Sequence, residues 1–222
     1  MNYANKKAVI FDLDGTLADT VGAIAEAVNL SLAQFGFPAK TTDEVRRAVG
    51  NGPRMLVRRV LPERYFSDDA VIDQVLKVYD RMYGKTYMHT ESTYDGIQET
   101  LHTLYERNFK LAVLSNKQDL YVKKLAEKYF PNGEILIARG QRENVPLKPD
   151  PTALKIVMED MKVAPAECVF VGDSGVDVQT AANAGVDLIA VAWGFAGRQA
   201  LIECGATVIA DRPQEILNLI HQ

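Results

Sequence analysis

Asp12 and Asp14 stand one residue apart at the end of the apolar run Ala8-Val9-Ile10-Phe11, and Gly15-Thr16 follow directly. Two carboxylates this close repel each other unless a cation or a shared proton relieves them. A hard divalent cation with oxygen ligands does so, and Mg2+ is the usual one beside phosphates. Three later segments also carry polar residues: Ser115-Asn116-Lys117, Lys148-Pro149-Asp150-Pro151, and Gly172-Asp173-Ser174-Gly175-Val176-Asp177. Lys148 brings positive charge. Backbone amides around Leu13 to Gly15 and at Asn116 can act as donors in a turn-like nest. Carboxylates, one ammonium and amide donors together suit phosphoryl transfer, with a metal bridging phosphate to carboxylate. A carboxylate nucleophile divides such a displacement into two easier steps through an acyl phosphate.

These groups meet only if the elements before them converge. A short apolar run without polar alternation reads as a strand buried on both faces. Besides the run ending at Asp12, such runs occupy Leu111 to Ser115, Ile135 to Ala138, Val169 to Gly172, Leu188 to Val191 and Thr207 to Ile209. Helical spacing fills Gly96 to Arg107, Leu120 to Tyr129, Pro151 to Met161, Val176 to Ala184 and Pro213 to His221. Strands alternating with helices predict an α/β fold with a parallel, Rossmann-like sheet. In such a sheet the carboxyl ends of the strands line one crevice.

From 20 to 90 the alternation stops. Val21 to Phe35, Pro53 to Leu61 and Asp69 to Tyr87 all read as helices. An interval this long exceeds an ordinary βα connection. The chain therefore reads as a core of residues 1–19 and 91–222 with an inserted helical domain at 20–90. Both joints of the insert lie near the candidate site, so it is expected to act as a lid that excludes water.

Composition narrows the partners. The chain has 222 residues, 47% of them hydrophobic, and a formal charge of −4. That balance gives no sign of a nucleic-acid or membrane partner. Met1 to Lys7 lacks a signal-peptide core and no apolar run reaches membrane-spanning length, so a cytoplasmic protein is expected. Cys168 falls in a strand-like run, which favours a buried thiol over a disulfide with Cys204. No Gly-x-x-x-x-Gly-Lys-Ser/Thr segment occurs. Gly50-Asn51-Gly52 lacks both the third glycine and the preceding strand of a dinucleotide fingerprint. His89, His102 and His221 are scattered and receive no role.

The motifs now in hand resemble those of the haloacid dehalogenase-like superfamily of phosphohydrolases. Asp12-x-Asp14-Gly15-Thr16 matches its first motif, Ser115 its second, Lys148 its third, and Gly172-Asp173-x-x-x-Asp177 its fourth. They fall in the expected order over nearly the whole chain, and the helical insert is similar to that family's cap. The resemblance implies that Asp12 is the nucleophile and forms an aspartyl-phosphate. Asp14 would protonate the leaving alkoxide and later activate water. Asp12, the carbonyl of Asp14 and Asp173 would hold Mg2+, with Asp177 in support. Thr16, Ser115 and Asn116 would bind phosphate, and Lys148 would order nucleophile and phosphate.

Asp14 separates the chain from the dehalogenase branch, which lacks a carboxylate there. Ala18 to Ile24 lacks the cap histidine usual in sugar-phosphate mutases. Arg46-Arg47-Ala48-Val49-Gly50-Asn51-Gly52-Pro53-Arg54 is similar to the cap loop of phosphoglycolate phosphatases. Gly52 and Arg54 would then dock a substrate carboxylate, since a Gly-rich loop entering a helix binds anions. An ordinary interhelical turn fits the same residues. The expected activity is Mg2+-dependent hydrolysis of a small phosphorylated metabolite, 2-phosphoglycolate first, by a monomer or homodimer. Pyrophosphatase, nucleotidase, phosphomutase and noncatalytic metabolite-binding readings remain as alternatives.

Overall fold

The computed structural model describes residues 3, 5–89 and 92–220. Met1, the insert boundary at Thr90 and Glu91, and the chain end at His221 and Gln222 lie outside the described residues. The chain divides into two compact units, Met1–Ala18 with Ser92–Gln222, and Asp19–Glu91. The order begins with β1 (Ala8–Phe11), then helices α1 (Val21–Gln34), α2 (Thr42–Ala48), α3 (Gly52–Val60) and α4 (Asp69–Thr86). It continues with α5 (Ile97–Glu106), β2 (Lys110–Gln118), α6 (Asp119–Tyr129), β3 (Ile135–Gln141), α7 (Thr152–Met161) and β4 (Cys168–Gly172). It closes with α8 (Gly175–Ala184), β5 (Asp187–Val191), α9 (Gly197–Glu203), β6 (Ile209–Ala210) and α10 (Pro213–Leu219).

All strands join one parallel sheet in the order β3-β2-β1-β4-β5-β6. β1 lies at its centre, with Phe11 beside Val113 on one flank and Val171 on the other. Its side chains have no solvent exposure, as a strand covered on both faces requires. Ile10, Leu114 and Phe170 pack with Leu154, Val157 and Met158 of α7 and Ala181 of α8. Truncating a buried phenylalanine such as Phe170 to alanine costs about 3–5 kcal/mol. The strand order reverses between β1 and β4, and that reversal opens the crevice where ligands bind in such sheets.

Within the helical unit, α1 packs on α4, and α3 packs on α4. Val28, Leu32, Ile72, Val75 and Val57 are among its buried apolar side chains. α2 starts at a capping box in which Thr41 and Glu44 satisfy each other's backbone N–H groups. α4 is capped by the Asp68 carboxylate, which accepts from the Val71 N–H at 3.1 Å.

Several elements differ from the sequence expectation. β2 runs on to Gln118, because Gln118 pairs with Gln141 after a register shift beyond Leu114. Ser115, Asn116 and Lys117 therefore lie inside the strand rather than after it. α2 takes in Arg46 and Arg47, which were expected in a loop; its short length hides the helical period. α9 carries little apolar periodicity, since only Leu201 of its residues is buried. β6 is shifted to 209–210 and pairs through two residues. No helix among the described residues is long and apolar enough to cross a membrane.

Cys168 opens β4 and is fully buried, and burial pushes its thiol up to about 12, whereas Cys204 is exposed. The thiolate is the reactive form. Native protein at about pH 8 should therefore react with one equivalent of a thiol reagent, at Cys204, and with a second only after denaturation. Two equivalents titrating together in native protein would contradict the buried start of β4.

Candidate active site

Asp12 emerges from β1 with its N–H still bonded to the Val171 carbonyl at 2.8 Å, so the ladder to β4 fixes its backbone. The chain then folds into a tight turn in which the N–H groups of Leu17 and Ala18 both donate to the Leu13 carbonyl. Gly15 has φ +81°, and a Cβ there would overlap the Asp173 carboxylate. Glycine is needed twice over at that position, for conformation and for clearance. Gly194, after β5, is similarly confined by Asp173 and the Gly15 carbonyl.

Lys148 sits before α7, and its ammonium reaches Asp177 Oδ1 at 2.7 Å, Asp12 Oδ1 at 3.1 Å and the Leu114 carbonyl at 3.3 Å. Three acceptors use the three N–H bonds of a lysine. Asn116 holds the backbone of Lys148 from both sides. Its amide nitrogen donates to the Lys148 carbonyl at 2.9 Å and its oxygen accepts the Lys148 N–H at 2.8 Å. Asp177 also works at both ends. While Oδ1 holds Lys148, Oδ2 accepts from the Ser174 hydroxyl at 2.6 Å and closes the capping box of α8. Asp173 Oδ1 accepts from Thr16 at 3.0 Å, and Oδ2 accepts from the Phe195 N–H at 2.7 Å.

Oxygens of Asp12, Asp173 and Asp177 lie within 4.8 Å of one another, and all three residues are buried. Asp14 pairs with Lys117, whose ammonium lies 2.9 Å from Asp14 Oδ2. The carboxylates of Asp12, Asp14, Asp173 and Asp177 thus outnumber the ammonium groups of Lys117 and Lys148 by two. Burial, then the negative charges of Asp177 and Asp14, push Asp12 up to about 7 against the pull of Lys148 and the Leu13 N–H. Asp173 is raised well above the usual carboxylate range by burial, Asp177 and Asp12. For Lys148 burial works the other way, yet Asp12 and Asp177 outweigh it and hold the ammonium charged. A surplus of buried oxygen ligands and negative charge is the donor set of a hard divalent cation.

The structure thus brings Asp12, Asn116, Lys148 and Asp177 into one bonded network and sets Asp173, bonded to Thr16, beside it. The Thr16 hydroxyl, expected on phosphate, is donated to Asp173, and the Asn116 side chain is engaged by Lys148. Ser115 is buried, and its hydroxyl oxygen accepts from the Lys117 N–H at 3.3 Å. Gly52 and Arg54 belong to the helical unit, where Arg54 pairs with Asp69 at 2.7 Å and with Asp73. Arg59 ties the Gly50 loop to α3 by donating to the Ala48 carbonyl and Asn51.

Sequence reading missed two contributors. Nothing in the sequence assigns Lys117 a task, and only the continuation of β2 to Gln118 places it at Asp14. The segment Trp193-Gly194-Phe195 reads in the sequence only as a loop after a strand. In fact Phe195 donates to Asp173, and the Trp193 indole N–H donates to the Thr16 carbonyl at 3.0 Å. A backbone N–H carries no signal in the sequence.

Comparison with known proteins identifies the family. Residues 9–191 match the family model of haloacid dehalogenase-like hydrolases. A phosphoglycolate phosphatase of Pseudomonas savastanoi pv. phaseolicola is 37% identical over 209 residues, covering 92% of this chain and 76% of that protein. A phosphoglycolate phosphatase of Vibrio parahaemolyticus is 30% identical over 224 residues, with 99% and 98% covered. A crystal structure from Lactobacillus delbrueckii subsp. bulgaricus, of a protein assigned as a phosphoglycolate phosphatase, superposes with TM-score 0.90 at 30% identity over 99% of both chains. With four motifs in order, one parallel sheet and a family match over most of its length, the chain belongs to the haloacid dehalogenase-like hydrolases and resembles their phosphoglycolate phosphatase branch.

Proposed function

We propose that this chain is a Mg2+-dependent phosphatase that hydrolyses a small phosphate monoester through an aspartyl-phosphate on Asp12, with 2-phosphoglycolate as the first candidate substrate. The gathering of Asp12, Lys148, Asp173 and Asp177 from distant segments into one buried cluster carries this reading. The names of the curated relatives support the choice of substrate.

In this reading an Asp12 oxygen attacks phosphorus. The bond from phosphorus to the ester oxygen breaks, and Asp14 gives its proton to the departing alkoxide. Asp14 then takes a proton from water, whose oxygen attacks the same phosphorus and releases phosphate and the Asp12 carboxylate. Lys148 pulls Asp12 toward its ionised form and aligns it. Ser115 and the backbone amides at Asp14 and Asn116 serve the phosphoryl oxygens, whereas the expected amides of Leu13 and Gly15 are donated to Asp12 Oδ1 and the Ala18 carbonyl, and Thr16 contributes by holding Asp173. Asp12, the Asp14 carbonyl and Asp173 would hold Mg2+, with Asp177 in support. When bound, the cation neutralises the carboxylates and the charge that develops on the phosphoryl group. Gly52 and Arg54 are proposed to select the second anionic group of the substrate, a role for which Arg54 must exchange its bonds to Asp69 and Asp73. The helical unit is proposed as the cap that bears them.

Phosphate release from a panel of phosphoesters tests the chemistry. With Mg2+, 2-phosphoglycolate should exceed 4-nitrophenyl phosphate in kcat/KM, and parity would refute the substrate. Asp12→Asn should lower turnover by about 10³-fold or more, as loss of a nucleophile does; undiminished turnover would sink the mechanism. Arg54→Gln should raise KM for 2-phosphoglycolate by about tenfold, or 1.4 kcal/mol, with less effect on the aryl ester.

Metal binding has its own readout. Mg2+ at about 100 times its Kd should stabilise the protein by about 2.7 kcal/mol and raise Tm. In Asp173→Asn that rise should vanish, and an equal rise would place the cation elsewhere.

A further inference from the structure

Lys117 has no part in the chemistry described so far, yet it is a buried ammonium 2.9 Å from the carboxylate assigned the acid–base role. Its side chain is 6% exposed and that of Asp14 11%. Burying a charge is costly unless it is paired and well placed, so this pairing is a constraint on the fold and not a casual surface contact. The backbone under Lys117 is held as well. Its N–H donates to the Ser115 hydroxyl oxygen at 3.3 Å, and its carbonyl lies so close to Gly140 that a Cβ there would strike it. Gly140 in turn donates its N–H to Asp119 Oδ1 at 3.0 Å, at the first residue of α6. Lys117 thus projects from a clamped stretch of β2, whereas Asp14 lies in the turn after β1.

We propose that Lys117 is a positioning residue for Asp14: by pinning Oδ2 it sets the direction in which the carboxyl group presents its other oxygen to the leaving group. The inference rests on the acid–base role proposed for Asp14. The proton that reaches the alkoxide comes from Asp14. Lys117 neither gives nor takes one, and it makes no bond to phosphorus. Its effect is geometric, so it matters only for substrates whose departing oxygen needs a proton. An alkoxide needs one, whereas a 4-nitrophenolate departs without it. A misplaced acid forfeits part of the roughly 10²–10⁴-fold that general acid catalysis supplies.

Leaving-group dependence provides the test. Wild type, Asp14→Asn, Lys117→Met, Lys117→Arg and the double variant Asp14→Asn/Lys117→Met are assayed with Mg2+ on 2-phosphoglycolate and 4-nitrophenyl phosphate. Asp14→Asn should lose about 10²–10⁴-fold more kcat on the alkyl ester than on the aryl ester. Lys117→Met should show the same bias, at about tenfold or more, with KM little changed, and Lys117→Arg should restore most of the loss. In the Asp14→Asn background Lys117→Met should cost nothing further. Should Lys117→Met not fold, Lys117→Gln carries the same comparison. An equal kcat loss on both esters would overturn the inference, and so would a loss in KM alone, which would make Lys117 a ligand for a substrate anion. If Asp14→Asn is biased and Lys117→Met is not, the inference fails and the acid–base reading stands. If Asp14→Asn itself is unbiased, the acid–base reading fails and takes the inference with it.

Discussion

The Lys148 ammonium rests on two carboxylates and a strand carbonyl in a place that water scarcely reaches. Asp12, Asp177 and Asn116 all answer to that arrangement. Removing one member of a buried, bonded ion pair typically costs about 3–5 kcal/mol, because the other charge is left stranded. Lys148 therefore locks Asp12 after β1 to Asp177 in the first turn of α8. Asp177 can serve because it caps α8 with one oxygen and spares the other for Lys148. Asn116 in β2 holds Lys148 by its backbone. Segments far apart in the chain are thus bound into one charge network.

That network is not neutral. Two carboxylates in excess explain why burial and mutual repulsion raise Asp12 and Asp173, and why the donor set suits a divalent cation. An enzyme that must stabilise added negative charge in a transition state gains from holding its charges in place beforehand. The fold meets part of that cost with short backbone bonds. Asp173 accepts from Phe195, Asp12 donates to Val171, and glycines at 15, 172 and 194 leave room where a Cβ would collide with Asp173 or Asp177. Rigid strands and clearance glycines do here what a solvent shell would do more weakly.

The sheet supplies the common origin of these contacts. Because β1 lies between β2 and β4, the residues that follow β1 and β4 become neighbours although 161 positions separate Asp12 from Asp173 in the sequence. The reversal of strand order between β1 and β4 opens the crevice that they line. The helical unit folds on its own apolar stripes, and its Arg54 is engaged by Asp69 and Asp73.

Much was legible in the letters alone. Unbroken apolar runs mark strands covered on both faces, so β1 and β4 could be placed almost to the residue. Carboxylates at their ends mark the candidate site, because like charges are not placed together without a partner. Periodicity likewise located the longer helices, whereas α2 and α9 are too short or too polar to show one. What the letters could not express is contact between distant backbones. The continuation of β2 to Gln118 depends on pairing with β3, and it is this extension that brings Lys117 to Asp14. The Phe195 N–H on Asp173 is a backbone group common to nearly every residue, so only the closed sheet reveals its use. Side-chain type and local spacing are written along the chain; which groups share a charge is settled by packing, through distances that the order of residues does not contain.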